Sequence, residues 1–194
     1  MHGPMKKLSL IWIVLTILAT ACQSDQKTEM KNPILSEYQT PHGVPPFDRI
    51  ENMHFVPAFE EGIRRQEAEI AQIVDNEEAP TFENTIAAYD LSGKLLRKTG
   101  GVFYRLLSAA TSDELDSIAR ALVPVTSAHR SNILLNEELF GRVKSVYDNQ
   151  ASKDLNMEQT RVLDKIYKSF VRGGANLDET GKARIREIDE KLSL

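Results

Sequence analysis

Thiols and imidazoles are scarce in this sequence, and basic residues are outnumbered by acidic ones. A single cysteine, Cys22, stands among 194 residues, so the chain can form no internal disulfide and no thiolate cluster. The four histidines are followed by GPMK, GVPP, FVPA and RSNI, and none has a second histidine at helical spacing. That excludes the H-E-x-x-H zinc helix from the chain as it stands. A phosphate-binding loop is also missing, because TGGVF has neither the spacing nor the lysine of one. No serine sits in the strand-turn-helix elbow that would mark a nucleophile. Alternating Val/Ile/Thr stretches are almost absent, which argues against a sheet. There is no Ser/Gly-rich linker, low-complexity tract or obvious repeat.

What is present at the start reads as an export signal. Lys6 and Lys7 precede an almost continuously apolar run from Leu8 to Ala21, shorter than the roughly 20 residues a spanning helix needs. The small residues Ala19, Thr20 and Ala21 then lead directly to Cys22 and a polar stretch. LATAC resembles a bacterial lipobox, in which the cysteine thiol takes a diacylglyceryl group and becomes the new N-terminus. Cys22 is therefore the expected lipid-attachment residue, and acyl chains would hold the product to a membrane at about 0.8 kcal/mol per buried CH2. An ordinary secretory signal with Cys22 incidental is the alternative. The expected organisation is a signal peptide over 1–21, a flexible tether over 22–31 and a helical domain over 32–194. Removing residues 1–21 takes two lysines and no acids from 24 basic and 28 acidic residues, leaving a formal charge of −6. Such a balance gives no basic footprint for nucleic acid.

Residues 32–49 contain four prolines and a glycine, so this arm cannot be a helix and is expected to lie extended over a folded body. From Phe55 the period becomes helical, with Pro57 in a tolerant first turn and Phe59, Ile63, Ile70 and Val74 on one stripe. Thr81 is a plausible N-cap for a stripe running from Phe82 to Leu107, weakened at Gly93 and at Gly100-Gly101. Thr111 with Glu114 has capping-box spacing, and Pro124 should kink or end the helix that follows. Asn136, and Asn156 with Gln159, open two more helices, the second closed by Gly173-Gly174. A last one begins near Asp178 and carries Ile185, Ile188 and Leu192. The fold class is all-α: a multi-helix segment preceded by the proline-rich arm. Leu192 and Leu194 are apolar positions of a helix with neither a glycine stop nor a polar tail, the pattern expected of a fragment.

Few residues suggest chemistry. The acidic pairs Glu60-Glu61, Glu77-Glu78 and Glu137-Glu138 read as solvated faces or first-turn charges favoured by the helix dipole. His54, before FVPAFEEGI, reads either as a peptide contact or as a surface residue at the helix entry. His129 lies between apolar helices and reads as a hydrogen-bonded structural histidine. Arg172, followed by GGANL, offers an anion contact, although a helix C-terminus explains the arginine and both glycines. Read alone, the residues assemble no active site.

The phrases themselves carry more. NPIL, TPHGVPPFDRIENMHFVPAFEEGI, APTFENTIAAYDLSG, LLNEELFGRVKSVYD and LDKIYKSFVRGGANLDETGKARIREIDEKLSL, in this order, resemble the opening part of the thimet-oligopeptidase family of zinc metallopeptidases. The resemblance covers about residues 32–194 and leans towards the bacterial peptidyl-dipeptidases, or dipeptidyl carboxypeptidases. It implies a long helical, prolate molecule split by a channel, a zinc ion on an H-E-x-x-H helix in the second half of the chain, and oligopeptide substrates that lose C-terminal dipeptides. These residues would then form part of the channel wall and outer scaffold. No zinc ligand carries over to a position of this sequence, so zinc is expected of the full-length family protein and not of this chain. An endo-acting oligopeptidase of the same family is a rival reading. A lipid-anchored helical module that binds peptides or a protein without catalysis is another.

Overall fold

A computed structural model describes residues 32–150 and 154–192, and every element in them is helical or a turn. The arm makes two 3₁₀ turns, Pro33–Leu35 and Pro41–Gly43, each with proline in its first turn. It is held down at its start: Asn32 donates from Nδ2 to the His54 carbonyl at 2.7 Å while its Oδ1 caps Ile34 N–H at 3.0 Å. Ile34 is completely buried. Further along, Lys98 Nζ donates to the Ser36 carbonyl at 2.9 Å and stands 4.6 Å from the ring centre of Tyr38. The expectation of a non-helical arm laid on the body holds, with the turns as local detail.

A third 3₁₀ turn, Asn52–His54, leads into α1, Phe55–Val74. A π-helical turn, Phe82–Ala87, runs into the short α2, Ala88–Leu91, and Gly93 at φ +69° separates this from α3, Lys94–Ala109. The remaining helices are α4 (Asp113–Leu134), α5 (Glu137–Asp148), α6 (Met157–Arg172) and α7 (Glu179–Leu192). Local chemistry starts most of them. Thr81, Asn136 and Asn156 each accept from the backbone N–H three residues on, and Asn156 and Gln159 complete a reciprocal capping box. At α4 the cap is Ser112, which accepts from Leu115 N–H at 3.2 Å, and not Thr111, whose hydroxyl donates to Asp116 Oδ1 instead. Pro124 lies inside α4 and does not end it. Gly100 and Gly101 likewise sit within an unbroken α3.

Two apolar clusters share α1. Its first half, with Ile34, packs Phe55 and Phe59 against Val102 and Phe103 of α3 and Leu115 and Leu122 of α4. Its second half contributes Ile70 and Ile73 to a larger cluster with Ile86, Leu139, Val143, Leu163 and Phe170. The buried side of α1 is thus Phe55, Ala58, Phe59, Gly62, Ile70 and Ile73, with Ile63 and Val74 only half-buried. Among the described residues no helix is long and apolar enough to cross a membrane.

Candidate functional site

Cys22 lies outside the described residues. His54 is buried, not at the surface: its Nδ1 accepts the Glu51 N–H at 3.0 Å, closing a capping box around the third 3₁₀ turn. The side chain thereby fixes the angle at which the arm enters α1. Arg172 is the exposed last residue of α6. Together with Arg130 it borders a cleft of about 400 Å³ whose apolar wall is Leu134, Ile185 and Ile188. The two residues sit in different neighbourhoods, His54 by the first cluster and Arg172 beside α4 and α7.

His129 is buried and hydrogen-bonded, as its position between apolar helices suggests. Nε2 lies 2.9 Å from Gln66 Oε1, and Gln66 donates its own Nε2 to Ser92 Oγ. Nδ1 is 3.7 Å from a carboxylate oxygen of Glu67. Burial lowers the imidazole pKa below its ordinary value, and the Glu67 carboxylate opposes that only in part. Arg142 performs a similar bridging role from α5, donating to the Asn76 carbonyl at 2.7 Å and the Glu78 carbonyl at 3.2 Å. These side chains bind segments of the fold to one another.

A second concave feature lies on α4. A groove of about 440 Å³ runs between Pro124, Val125 and Ala128 on one side and Arg186 and Asp189 of α7 on the other. Ser131 donates to Asp189 across its floor. Its apolar wall is Pro124, Val125 and Ala128, and the other six lining residues are polar or charged. Sequence reading missed this feature, although Ala121, Val125, Ala128 and Asn132 at spacings of four, three and four mark an α4 face distinct from the Leu115/Leu122 side.

No group of three or more His, Cys, Asp or Glu side chains that could hold a metal ion occurs among the described residues. The ring nitrogens of His54 and His129 that face polar partners are engaged within the fold. A zinc ion therefore has no fitting donor set in this part of the chain.

Relatives are found by sequence. Over 158 residues, 81% of this chain, the sequence is 39% identical to the dipeptidyl carboxypeptidase of Salmonella typhimurium, of which the match covers 23%. Over 162 residues it is 37% identical to the dipeptidyl carboxypeptidase of Escherichia coli, covering 84% of this chain and 24% of that protein. Oligopeptidase A of Escherichia coli is more distant, 25% identical over 164 residues, 84% of this chain and 24% of that protein. No family model matches. The chain thus spans about a quarter of the length of the curated relatives it matches.

Proposed function

We infer that this chain is an N-terminal portion of a peptidase of the family of dipeptidyl carboxypeptidase and oligopeptidase A. Its role is that of a helical wall and outer scaffold in a zinc metallopeptidase that releases C-terminal dipeptides from oligopeptides. The observation that carries this reading is the contrast in coverage: the matches at 37–39% identity span 81–84% of this chain but only 23–24% of the relatives. The catalytic donors would then come from the remaining three-quarters of the family polypeptide. The leader and Cys22 add an exported, lipid-anchored location, with the peptidase facing the periplasm or the cell surface and the membrane reached through the N-terminal lipid.

A second reading is a non-catalytic lipid-anchored module that binds peptide or protein. Intact mass and peptidase activity of the product purified from its native membrane separate the two. A species several-fold heavier than 21.8 kDa that releases dipeptides, and stops when chelated, supports the first reading. A lipid-modified species ending at Leu194 with no hydrolytic activity supports the second and overturns the first.

A further inference from the structure

Arg130 of α4 and Arg172 at the end of α6 are far apart in sequence yet border one cleft of about 400 Å³. Both are exposed, and among the described residues neither guanidinium has a hydrogen-bond or carboxylate partner. Elsewhere arginines are paired within a turn of helix, Arg64 with Glu61 and Arg184 with Glu187. Two like charges at one cavity repel, and an anion between them converts that repulsion into attraction. The negative groups nearby are already engaged. Asp189, which also lines the cleft, accepts from the hydroxyl of the buried Ser131. At the end of α6 the carbonyls of Ser169, Phe170 and Val171 accept from the N–H groups of Gly173, Ala175 and Gly174, so the helix terminus presents little free negative charge. Two guanidiniums against one carboxylate leave the cleft with positive charge in excess, although the chain as a whole is acidic. Leu134, Ile185 and Ile188 supply an apolar surface in the same cleft, and Ile188 is 40% exposed.

We propose that this cleft binds the C-terminal carboxylate of a peptide ending in an aliphatic residue. Arg130 and Arg172 clamp the carboxylate, and the aliphatic side chain lies on Leu134, Ile185 and Ile188. A guanidinium presents parallel N–H donors that match a carboxylate, and charge-assisted bonds of this kind are about twice as strong as neutral ones. Inorganic phosphate would satisfy the same two arginines but leave the three aliphatic side chains in water. The apolar surface therefore selects a carboxylate that carries a hydrocarbon group. A volume of about 400 Å³ falls at the small end of ligand sites and suits the last residues of a peptide, not a folded partner. That the carboxylate belongs to a peptide rests on the peptidase reading above, whereas the clamp follows from the cleft alone.

The test follows phenylglyoxal modification of arginines, mapped by mass, in the product purified from its native membrane, with glycyl-leucine as the probe. At up to about 20 mM the dipeptide is expected to slow modification of Arg130 and Arg172 about tenfold, the factor mass action gives at ten times Kd. The exposed Arg161 on α6 should react at an unchanged rate. Glycyl-leucinamide lacks the carboxylate and glycylglycine lacks the aliphatic side chain, so each should protect far less. Arg130→Gln should abolish protection at Arg172, and Arg172→Gln at Arg130, which ties both to one ligand. Ile188→Ser, at a half-exposed position, should remove the preference for glycyl-leucine over glycylglycine. Equal modification with and without the probe, in a product that releases dipeptides, overturns the proposal and leaves the family reading intact. Equal protection by inorganic phosphate, or protection that extends to Arg161, marks a general anion effect and also overturns it. Selective protection in a product that ends at Leu194 and hydrolyses nothing supports the clamp while the family reading falls.

Discussion

Nε2 of His129 stands 2.9 Å from Oε1 of Gln66, so that one hydrogen bond ties the C-terminal third of α4 to the middle of α1. The network assigns the tautomer. Gln66 donates its amide to Ser92 Oγ, and the Ser92 hydroxyl donates to the Tyr89 carbonyl at 2.8 Å, so Gln66 Oε1 is the acceptor and His129 carries its proton on Nε2. Protonation must then occur at Nδ1, opposite Glu67.

This geometry predicts an acid-sensitive fold. The folded imidazole has a pKa below its ordinary value, so between the two values the unfolded chain binds more protons than the folded one. The stability contributed by neutral His129 is complete above about pH 6.5 and falls as the pH drops through the folded value. Urea midpoints for the parent and His129→Gln should differ more at pH 8 than at pH 5. A constant difference across that range would contradict the assignment.

Lys182 predicts how α7 is attached. Its ammonium is held by the Glu137 carboxylate at the start of α5 and by Glu179 Oε1 at 3.2 Å, and the side chain is only 3% exposed. These contacts raise the lysine pKa, chiefly through the Glu137 hydrogen bond, and lower that of Glu137. Lys182→Ala should release α7, with limited proteolysis cutting first between residues 179 and 192. Lys182→Met keeps the aliphatic stem, so its cleavage rate separates the contribution of packing from that of the ion pair. Because both carboxylates are largely exposed, added salt should speed cleavage of the parent towards that of Lys182→Met.

Cap chemistry explains why so much of this fold was readable in advance. An asparagine such as Asn136 or Asn156 meets its N–H three residues on, and the apolar stripe behind it is equally local. Where two local choices compete the sequence is ambiguous. Thr111 and Ser112 are adjacent hydroxyls, and burial of Leu115 rather than intrinsic preference decides for Ser112. Pro124 misleads for a similar reason. It removes one N–H, but Leu122 and His129 are buried on either side of it and hold both halves of α4 in one helix. The π-helical turn at Phe82–Ala87 has no local signature. It packs beside Arg142, which crosses from α5 to the carbonyls at Asn76 and Glu78, a partnership between residues more than sixty apart in the chain. The groove beside α4 was hidden because alanine and valine on a second helix face read as ordinary helix formers.

Phe103 is the centre of the first cluster. It is fully buried, with ring centres 4.9 Å from Phe55, 5.6 Å from Phe59 and 5.2 Å from Tyr104, all edge-to-face. Phe103→Ala removes these contacts and leaves a cavity, at a cost of about 3–5 kcal/mol. Loss of the cluster should also loosen the arm, since Ile34 belongs to it. Hydrogen exchange of the Ile34 and Leu35 amides should accelerate alongside the drop in urea midpoint. An arm that stays protected would mean that the polar ties of Asn32 and Lys98 suffice to fix it.

Two helical glycines should respond in opposite directions to the same substitution. Gly62 lies where α1 passes α3, and an added Cβ would come within 2.9 Å of Leu96 Cα and 3.1 Å of its nitrogen, backbone atoms that cannot swing aside. Gly62→Ala must push the helices apart and should destabilise the fold by about 1–3 kcal/mol. Gly141 sits within α5 with nothing within 4 Å of the added carbon and no left-handed φ to preserve. Gly141→Ala therefore acts chiefly on the unfolded chain and should stabilise by about 0.5–1 kcal/mol. Urea denaturation of the two variants and of the double mutant checks both signs. The crossing at Gly62 and the free surface at Gly141 share no contact, so the two effects should add within about 0.5 kcal/mol.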